Sequence, residues 1–383
     1  MSIACAAPDE GAGETLPRRV FDPAFYATFS PQSALDMVAQ TPGFAIRESG
    51  GGRGMGPGGA NVLIDSQRVP SKTISAHEAL SRIAADRVVR IEVVDGASLD
   101  IPGLSGQVVN VITRPAGVAG RWEWSPEFQE DRKPRLARGR VLVSGLMADW
   151  KYSLGLSSYQ YGGGSSGPET VTNPNGAVVE THIEDESWGG RRHELSTAFV
   201  NETDTGGIAN IGFIIAGSED DNREFSMRSG SAREDYFRTY RSRNDSTSGK
   251  ISGDYEFAFG PGRLKLIGLR QMSTSSPVST TLSERTAAIA APEGARVRVD
   301  RETGESIVRG EYTWDDEASN DWQMTLEGAV NTLDTATTYA TLVNGDYIDM
   351  GLAGGAAHVE EKRTEAVIVH GRDLGGVFMQ ASL

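Results

Sequence analysis

The stretch GGANVLIDSQRVPS, residues 58–71, is a short strand and turn that precedes a very different kind of chain. Residues 61–64 read as a buried strand, and residues 65–68 as the turn that ends it. Nearly everything after about residue 118 alternates between apolar and polar residues over long β-type segments. The sequence therefore predicts a small α/β unit followed by a large, mainly β unit.

Composition limits the classes of function. The 383 residues suffice for two or three domains, and 37 Lys and Arg against 52 Asp and Glu give a net charge of −15. That balance argues against a nucleic-acid partner, because phosphate contacts need clustered basic side chains. No stretch approaches the roughly 18 consecutive apolar residues of a membrane helix, so a membrane-crossing form of this chain would have to be a closed β-barrel. The single cysteine, Cys5, excludes an internal disulfide framework.

Residues 30–118 predict a small mixed domain. Ser30-Pro31 is a helix N-terminus signal followed by apolar residues at helical spacing, and Pro42-Gly43 ends that helix. Ser75-Ala76-His77-Glu78 has the capping-box pattern for a second short helix. Three strands are predicted, at 61–65, 87–95 and 107–113.

Beyond residue 118 the apolar residues recur with period two, which indicates strands with one dry and one wet face. Short and long connections also alternate along the chain. The short ones are predicted at 147–149, 202–206, 260–262 and 315–320, and the long polar ones at 160–188, 218–245, 273–304 and 334–361. This alternation is typical of outer-membrane barrels, although a soluble β-sandwich or propeller stays open as an alternative.

Tryptophans support the same interpretation. Trp150 follows a short turn, and Trp314 and Trp322 stand on either side of another. These are positions for an aromatic girdle at a membrane interface, where tryptophan is enriched. Because tryptophan is also common in sandwich cores, the three residues favour a barrel without deciding for it.

Four blocks resemble the plug domain of TonB-dependent outer-membrane receptors, and their order and spacing carry the resemblance. They are SALDMVAQTPGF at 33–44, NVLIDSQRVPS at 61–71, LSRIAADRVVRIEVVDG at 80–96 and GLSGQVVNVITR at 103–114. The resemblance divides the chain into a flexible N-terminal segment at 1–29, a plug at 30–118 and part of a transmembrane barrel at 119–383.

The resemblance also implies a function. A plug inside a barrel lumen would gate the uptake of a scarce nutrient, such as a ferric siderophore, across the outer membrane of a Gram-negative bacterium. The implied partners are outer-membrane lipid, the nutrient ligand and a TonB-type energy-coupling protein of the inner membrane that pulls on the N-terminal segment.

The length of the β region departs from that pattern. Plugged transporters have about 22 strands, and we count about eleven here. We also see no signal peptide and no terminal aromatic residue. We therefore expect about half of a full plugged barrel, that is, a fragment of a receptor.

Charged residues of the plug are the candidate site. Arg53, Arg68 and Lys72 are candidates for contact with an anionic ligand, and pairing with the inner wall of the barrel stays open for such charges as the alternative. Arg90 and Glu92 are candidates for that pairing. The five histidines show no metal-ligand spacing, so we expect no metal and no cofactor. We expect no catalytic residue and no enzyme activity, because no nucleophile with a base and no working carboxylate pair is recognisable. The alternative function is a soluble or surface β-rich binding protein, for example a carbohydrate-binding adhesin.

Overall fold

The computed structural model describes residues 18–47, 60–69, 75–96, 99, 106–114, 117–129, 133–230, 234–286, 291–316, 320–373 and 378–382. Two sheets organise these residues, one of five strands and one of 13 strands. Within the described ranges, no helix is long and apolar enough to cross a membrane.

The small domain, residues 18–114, is a five-stranded mixed sheet covered by short helices. Its elements are β1 (Arg19–Phe21), α1 (Pro23–Tyr26), a 3-10 turn (Ala27–Phe29), α2 (Ala34–Ala39), β2 (Val62–Ile64), β3 (Gln67–Arg68), α3 (Ala76–Ser81), a 3-10 turn (Ala85–Arg87), β4 (Val88–Asp95) and β5 (Gln107–Thr113). The strand order is β1-β4-β5-β2-β3, in which β2 and β5 run parallel and the other pairs antiparallel.

An apolar core holds the helices on the sheet. Tyr26, Met37 and Leu80 from the helices are fully buried with Val62 and Ile91 from the strands. The Tyr26 hydroxyl lies 2.8 Å from the Thr41 hydroxyl, so the polar tip of this buried ring is satisfied.

The small domain begins earlier than the sequence predicts. The sequence assigns residues 18–29 to a flexible segment, but β1 pairs with β4 and Tyr26 lies in the core. Aromatic packing explains the difference, because Phe21, Phe25 and Tyr26 form a cluster with ring centroids 5.0 to 6.4 Å apart. Residues 1–17 lie outside the described residues.

The start of α2 also differs from the prediction. Its N-cap is Ser33, which forms a full capping box with Asp36. Ser30, the predicted cap, instead has a left-handed backbone with φ of 49° and ends the preceding 3-10 turn. The reciprocal side-chain bonds of Ser33 and Asp36 satisfy two otherwise unpaired amides, which explains why the helix starts there.

A tight turn at Asp65-Ser66 joins β2 to β3. Both residues have positive φ, 50° and 66°, as a two-residue hairpin turn of type I′ requires. The Asp65 carboxylate accepts hydrogen bonds from the Thr113 backbone N–H and hydroxyl, each at 2.8 Å. The Asn110 side chain accepts from the Ser66 N–H at 2.9 Å. β5 therefore holds the strained turn in place.

The large sheet contains the remaining strands, and every pair of neighbours in it is antiparallel. The strands are β6 (Ala119–Trp124), β7 (Gly139–Met147), β8 (Trp150–Thr172), β9 (Val178–Glu202), β10 (Ile208–Gly230), β11 (Tyr236–Phe259), β12 (Gly262–Ser275), β13 (Val278–Arg285), β14 (Glu293–Asp315), β15 (Asn320–Val343), β16 (Asp346–Asp349), β17 (Ala356–Asp373) and β18 (Phe378–Ser382). In the described ranges, eleven of them follow one path from β6 to β18, with β13 and β16 off that path.

The long connections predicted from polarity are wrong for most of their length. β8 has 23 residues and β9 has 25, and they pair from Trp150 opposite Asn201 to Thr172 opposite Val178. At about 3.3 Å per residue, β9 extends roughly 80 Å. Polar sequence did not end these strands because Ser, Thr, Glu and Arg side chains pair well across neighbouring strands. The short turns predicted between β7 and β8, β9 and β10, and β11 and β12 are confirmed.

The two faces of the large sheet are inverted relative to a soluble protein. On β15, Leu326 is 54% exposed while the neighbouring Glu327 is 2% exposed. Apolar exposed residues recur on the same outer face of other strands, and they include Leu154, Leu156, Leu195, Phe213, Ile215, Ile251 and Leu266. Polar residues buried on the opposite face include Ser196, Ser226, Ser252 and Thr325. The predicted fold class, a small α/β plug domain followed by antiparallel strands of barrel type, is confirmed.

Asp65 offers a test of the small domain. Asp65→Ala removes two hydrogen bonds to Thr113 and leaves alanine in a left-handed conformation, which together cost about 2–3 kcal/mol. We expect amides of β2 and β5 to exchange with deuterium roughly 30- to 150-fold faster in the full-length protein.

Asp22→Ala is the matched control, because the Asp22 side chain makes no capping hydrogen bond at the start of α1. Equal exchange of β2 and β5 in the two variants would show that the Asp65 turn does not stabilise the small domain.

Candidate functional site

The candidate site is the contact between the small domain and the polar face of the large sheet. α3 supplies the central part of this contact. Ser75 caps the helix by accepting a hydrogen bond from the Glu78 N–H at 3.0 Å, and Arg82 ends it. Glu78 and Arg82 therefore lie one helical turn apart on one face, where they form an ion pair.

Arg82 connects α3 to two strands of the large sheet. Its guanidinium donates hydrogen bonds to the Ser153 hydroxyl on β8, at 3.0 Å, and to the Ser196 hydroxyl on β9. The Ser196 hydroxyl in turn donates to the Glu78 carboxylate at 3.3 Å. The Arg82 side chain is 5% exposed. We call Glu78, Arg82, Ser153 and Ser196 the latch.

A second polar contact lies at the β2–β3 turn. The Gln67 side-chain amide donates to the Glu202 carboxylate at 2.8 Å. Lys151 on β8 donates to the same carboxylate at 2.9 Å. Gln67 thus joins an ion pair that already links β8 to β9, so the small domain has a second point of attachment to the large sheet.

A cavity of about 480 Å³ lies between the small domain and the large sheet. Gln67 and Arg82 line it from the small domain, and Lys151 and Ser153 line it from β8. The polar contacts and the cavity share these residues. Movement of the small domain would therefore change the size of the space between the two parts.

Arg90 and Glu92 are the predicted charged site residues whose side chains the structure describes. Arg90 and Glu92 on β4 pair with each other, the Arg90 Nε lying 2.5 Å from the Glu92 carboxylate, and Arg18 binds the same carboxylate. This ion-pair group holds β1 beside β4 within the small domain. Gln67, Glu78 and Arg82 are among the described residues that bond to the large sheet.

The candidate ligand contacts are only partly visible. Arg53 and Lys72 lie outside the described residues, and Arg68 is described for its backbone alone, in β3 opposite Leu63. Their role in ligand binding stays a prediction.

Burial and two positive neighbours act on the Glu92 carboxyl in opposite directions. Burial by itself would raise its pKa, but the hydrogen bonds and charges of Arg18 and Arg90 outweigh burial and hold the pKa below its ordinary value of 4.5. The carboxylate is 3% exposed, so its charge is stabilised by these two partners rather than by water.

The three tryptophans lie on the outer face near the short turns. Trp314 on β14 is directly opposite Trp322 on β15, and their rings stack with centroids 6.0 Å apart and planes 8° apart. Tyr312 also stacks on Trp314, with ring centroids 5.2 Å apart, and Trp150 begins β8. The aromatic row thus follows one end of the large sheet, as a girdle would; its role at a membrane interface stays a prediction.

The serines of the latch were missed by sequence reasoning. Ser153 and Ser196 are small polar residues at inward positions of otherwise ordinary strands. The period-two pattern places them on the polar face, but nothing in the sequence shows that α3 lies opposite. Glu78 and Arg82 carry a weak signal, because an acid and a base at i and i+4 after a cap predict an exposed helical ion pair.

Comparisons with known proteins give structural matches alone. No family model and no curated protein matches this sequence. Among solved structures, the ferric citrate transporter FecA matches 97% of this chain and 62% of its own, at 14% identity and a TM-score of 0.35. The ferric yersiniabactin uptake receptor FyuA from Yersinia pestis matches 94% of this chain and 63% of its own, at 10% identity and a TM-score of 0.31.

A third structure, the ferric-catecholate import receptor Fiu from E. coli K12, matches 94% of this chain and 67% of its own, at 10% identity and a TM-score of 0.31. The chain thus spans less than two thirds of the length of FecA and FyuA. These three proteins are a transporter, an uptake receptor and an import receptor for ferric ligands.

The latch predicts a measurable coupling between the two parts. Arg82→Ala removes the hydrogen bonds to Ser153 and Ser196 and leaves Glu78 without its ion-pair partner, at a cost of about 2–3 kcal/mol. We expect deuterium exchange to rise in α3, which is held in place by the latch.

Arg87→Ala is the control, because the Arg87 side chain bonds to the Arg114 carbonyl within the small domain. A double-mutant cycle of Arg82→Ala with Ser196→Ala should show a coupling energy of about 1 kcal/mol between the two side chains. Strict additivity would contradict a latch.

Glu92 predicts how acid acts on β1. Because its pKa is lower in the folded than in the unfolded protein, its stabilising contribution is fully present above about pH 4.5 and is lost as the pH falls through the folded pKa. We expect the deuterium-exchange protection factors of β1 to stay constant from pH 7 to about pH 5 and to fall below that.

In Glu92→Gln the protection of β1 should be weaker at neutral pH and should lose this acid-dependent part. The same fall in protection in both proteins would assign the acid effect to another group.

Proposed function

We propose that this chain forms the plug and part of the barrel of an outer-membrane uptake receptor for a scarce nutrient. One observation carries the proposal: a small α/β domain is latched to the polar face of an antiparallel sheet whose opposite face is apolar and exposed. In water, that outer face would be a large aggregation surface. In a bilayer it would be the lipid-facing wall.

The dimensions support a membrane location. Hydrocarbon about 30 Å thick needs about ten residues of a tilted strand. The strands of 23 to 25 residues are much longer, so their ends away from the short turns would extend beyond the membrane. The stacked pair Trp314 and Trp322 lies at the short-turn end, where the periplasmic interface would be.

The small domain has the properties of a gate. The hydrogen bonds described above join it to the wall through polar side chains, and water can replace such bonds when the two parts separate. The latch is made by four side chains, and the cavity already lies beside it. Transport in this proposal needs movement of the small domain and no covalent chemistry.

The first strand of the small domain is the natural place for an external force to act. β1 has three residues and, within the part of the chain that the structure describes, pairs with β4 alone at the edge of the five-stranded sheet. An energy-coupling protein that pulls on the chain before residue 18 would detach β1 without first breaking another strand pair of that sheet. Arg18 and Glu92 would be the first ion pair to separate.

The proposed ligand is an anionic iron chelate such as a ferric siderophore. Arg53, Arg68 and Lys72 lie within residues 30–118, which resemble a plug domain, and three cations suit an anion. The four resembling sequence blocks support this nutrient class.

A disulfide across β1 and β4 tests the mechanism. Arg19 is directly opposite Val93, so Arg19→Cys with Val93→Cys can form a cross-link in a Cys5→Ser background. In the producing bacterium under iron limitation, we expect uptake of radioactive iron chelates to fall at least about tenfold when the link is oxidised and to recover on reduction.

The two single-cysteine variants are the controls and should transport normally in both redox states. Normal uptake with a formed disulfide would show that β1 need not detach. A deletion strain that takes up citrate, catecholate and hydroxamate chelates as well as the wild type, or recovery of the protein in the soluble fraction, would overturn the receptor function itself.

A further inference from the structure

A second cluster of ligand-type side chains lies on the polar face, far along β8 and β9 from the latch. Glu169 on β8 is directly opposite His182 on β9. His182 and Ser196 are an even number of residues apart on the same strand, so the two side chains point to the same face. Glu180 and Glu184 are two residues from His182 on either side and share this face.

The donor atoms of this cluster are close together. The His182 Nδ1 lies 2.9 Å from the Glu169 carboxylate and 3.3 Å from the Glu184 carboxylate. One ligand atom from each of the three residues lies within 4.8 Å of the others. Ligands about 2.1 Å from a tetrahedral ion are about 3.4 Å from one another, so small side-chain movements would complete such a shell.

The burial of His182 gives a second, independent observation. The ring is 5% exposed, and its Nε2 has no hydrogen-bond partner among the described residues. The nearest carboxylate, that of Glu180, is 3.5 Å from this nitrogen. A neutral imidazole that ligates an ion through Nδ1 carries its proton on Nε2. A small side-chain movement that shortened the distance from Nε2 to Glu180 would let this N–H donate a hydrogen bond to the Glu180 carboxylate. Carboxylates commonly orient metal-binding histidines in this way.

The charge around the ring favours a cation. Glu169, Glu180 and Glu184 surround it, and the guanidinium of Arg228 is 3.4 Å from Glu184. Arg228 is also shared with Glu224, at 3.0 Å. Arg228 therefore neutralises Glu184 only in part, and the three carboxylates around His182 keep a local excess of negative charge.

We propose that Glu169, His182 and Glu184 bind a divalent transition-metal ion of the zinc class, with Glu180 as the acceptor for the Nε2 proton of His182. Imidazole with carboxylates suits zinc and its neighbours, whereas calcium and magnesium prefer oxygen ligands alone. The ion would cross-link β8 and β9 near their connecting turn. This site goes beyond the uptake function and stands independently of it.

Zinc titration of the full-length, untagged protein in detergent tests the site, after dialysis against a chelator. We expect one equivalent of ZnCl₂ to bind by calorimetry, with calcium and magnesium chlorides at the same concentration unable to replace it. His182→Gln and Glu184→Gln should each weaken zinc binding at least about tenfold, and Glu180→Gln, which changes an outer contact, about 10- to 100-fold.

His358→Gln is the matched control, because His358 also faces one carboxylate, that of Asp334 at 2.6 Å, but is 60% exposed. Glu169→Gln changes a largely exposed side chain and keeps the test valid if His182→Gln misfolds. X-ray absorption should show one nitrogen among oxygen ligands. Equal zinc affinity in the wild type, His182→Gln and Glu169→Gln, or equal loss in His358→Gln, would overturn the proposal.

Discussion

Continuous backbone pairing between neighbouring strands is the interaction on which the rest of this structure depends. β8 and β9 stay paired from Trp150 to Thr172 with one irregularity near the end. Because the N–H and C=O groups are satisfied within the sheet, side chains need not cover the backbone from water or lipid. Leucine, isoleucine and phenylalanine can then occupy the outer face while serine, arginine and glutamate occupy the inner one.

The same register determines which polar side chains meet. Ser153 and Ser196 lie on neighbouring strands close enough for one guanidinium to reach both. Further along, Glu169 and His182 are opposite each other, although they are separated by the whole turn of the hairpin. The register of paired strands fixes which side chains lie opposite each other, whereas a polar loop without strand pairing would not fix their positions. The cluster around His182 therefore exists because residues 160–188, predicted as a loop, form paired strands instead.

Sequence patterns predicted the positions of the helices and strands better than they predicted the side-chain contacts between them. β2, β4 and β5 were predictable within a residue or two, because short apolar runs lie between clear turn signals. The period-two alternation of apolar and polar residues predicted which residues lie on each face of the large sheet. By contrast, the pairing of Glu92 with Arg90 and with Arg18 was not predicted. It depends on β1, a three-residue edge strand within the segment predicted to be flexible, which pairs with β4. The cluster around His182 was missed because Glu169 lies opposite His182 only through the register of the hairpin.

The polar inner face of the large sheet also explains why the small domain could separate from it. Separating two apolar surfaces in water costs about 25 cal/mol for each Å² exposed, which soon exceeds the total stability of a domain. Separating Arg82 and Gln67 from serines and a carboxylate exchanges protein hydrogen bonds for bonds to water, at roughly 1 kcal/mol each. The apolar groups of the small domain stay in its own core, around Tyr26, Met37 and Leu80. In the proposed receptor, the polar inner face would therefore let the small domain separate, and the apolar outer face would keep the sheet in the membrane while the small domain moves.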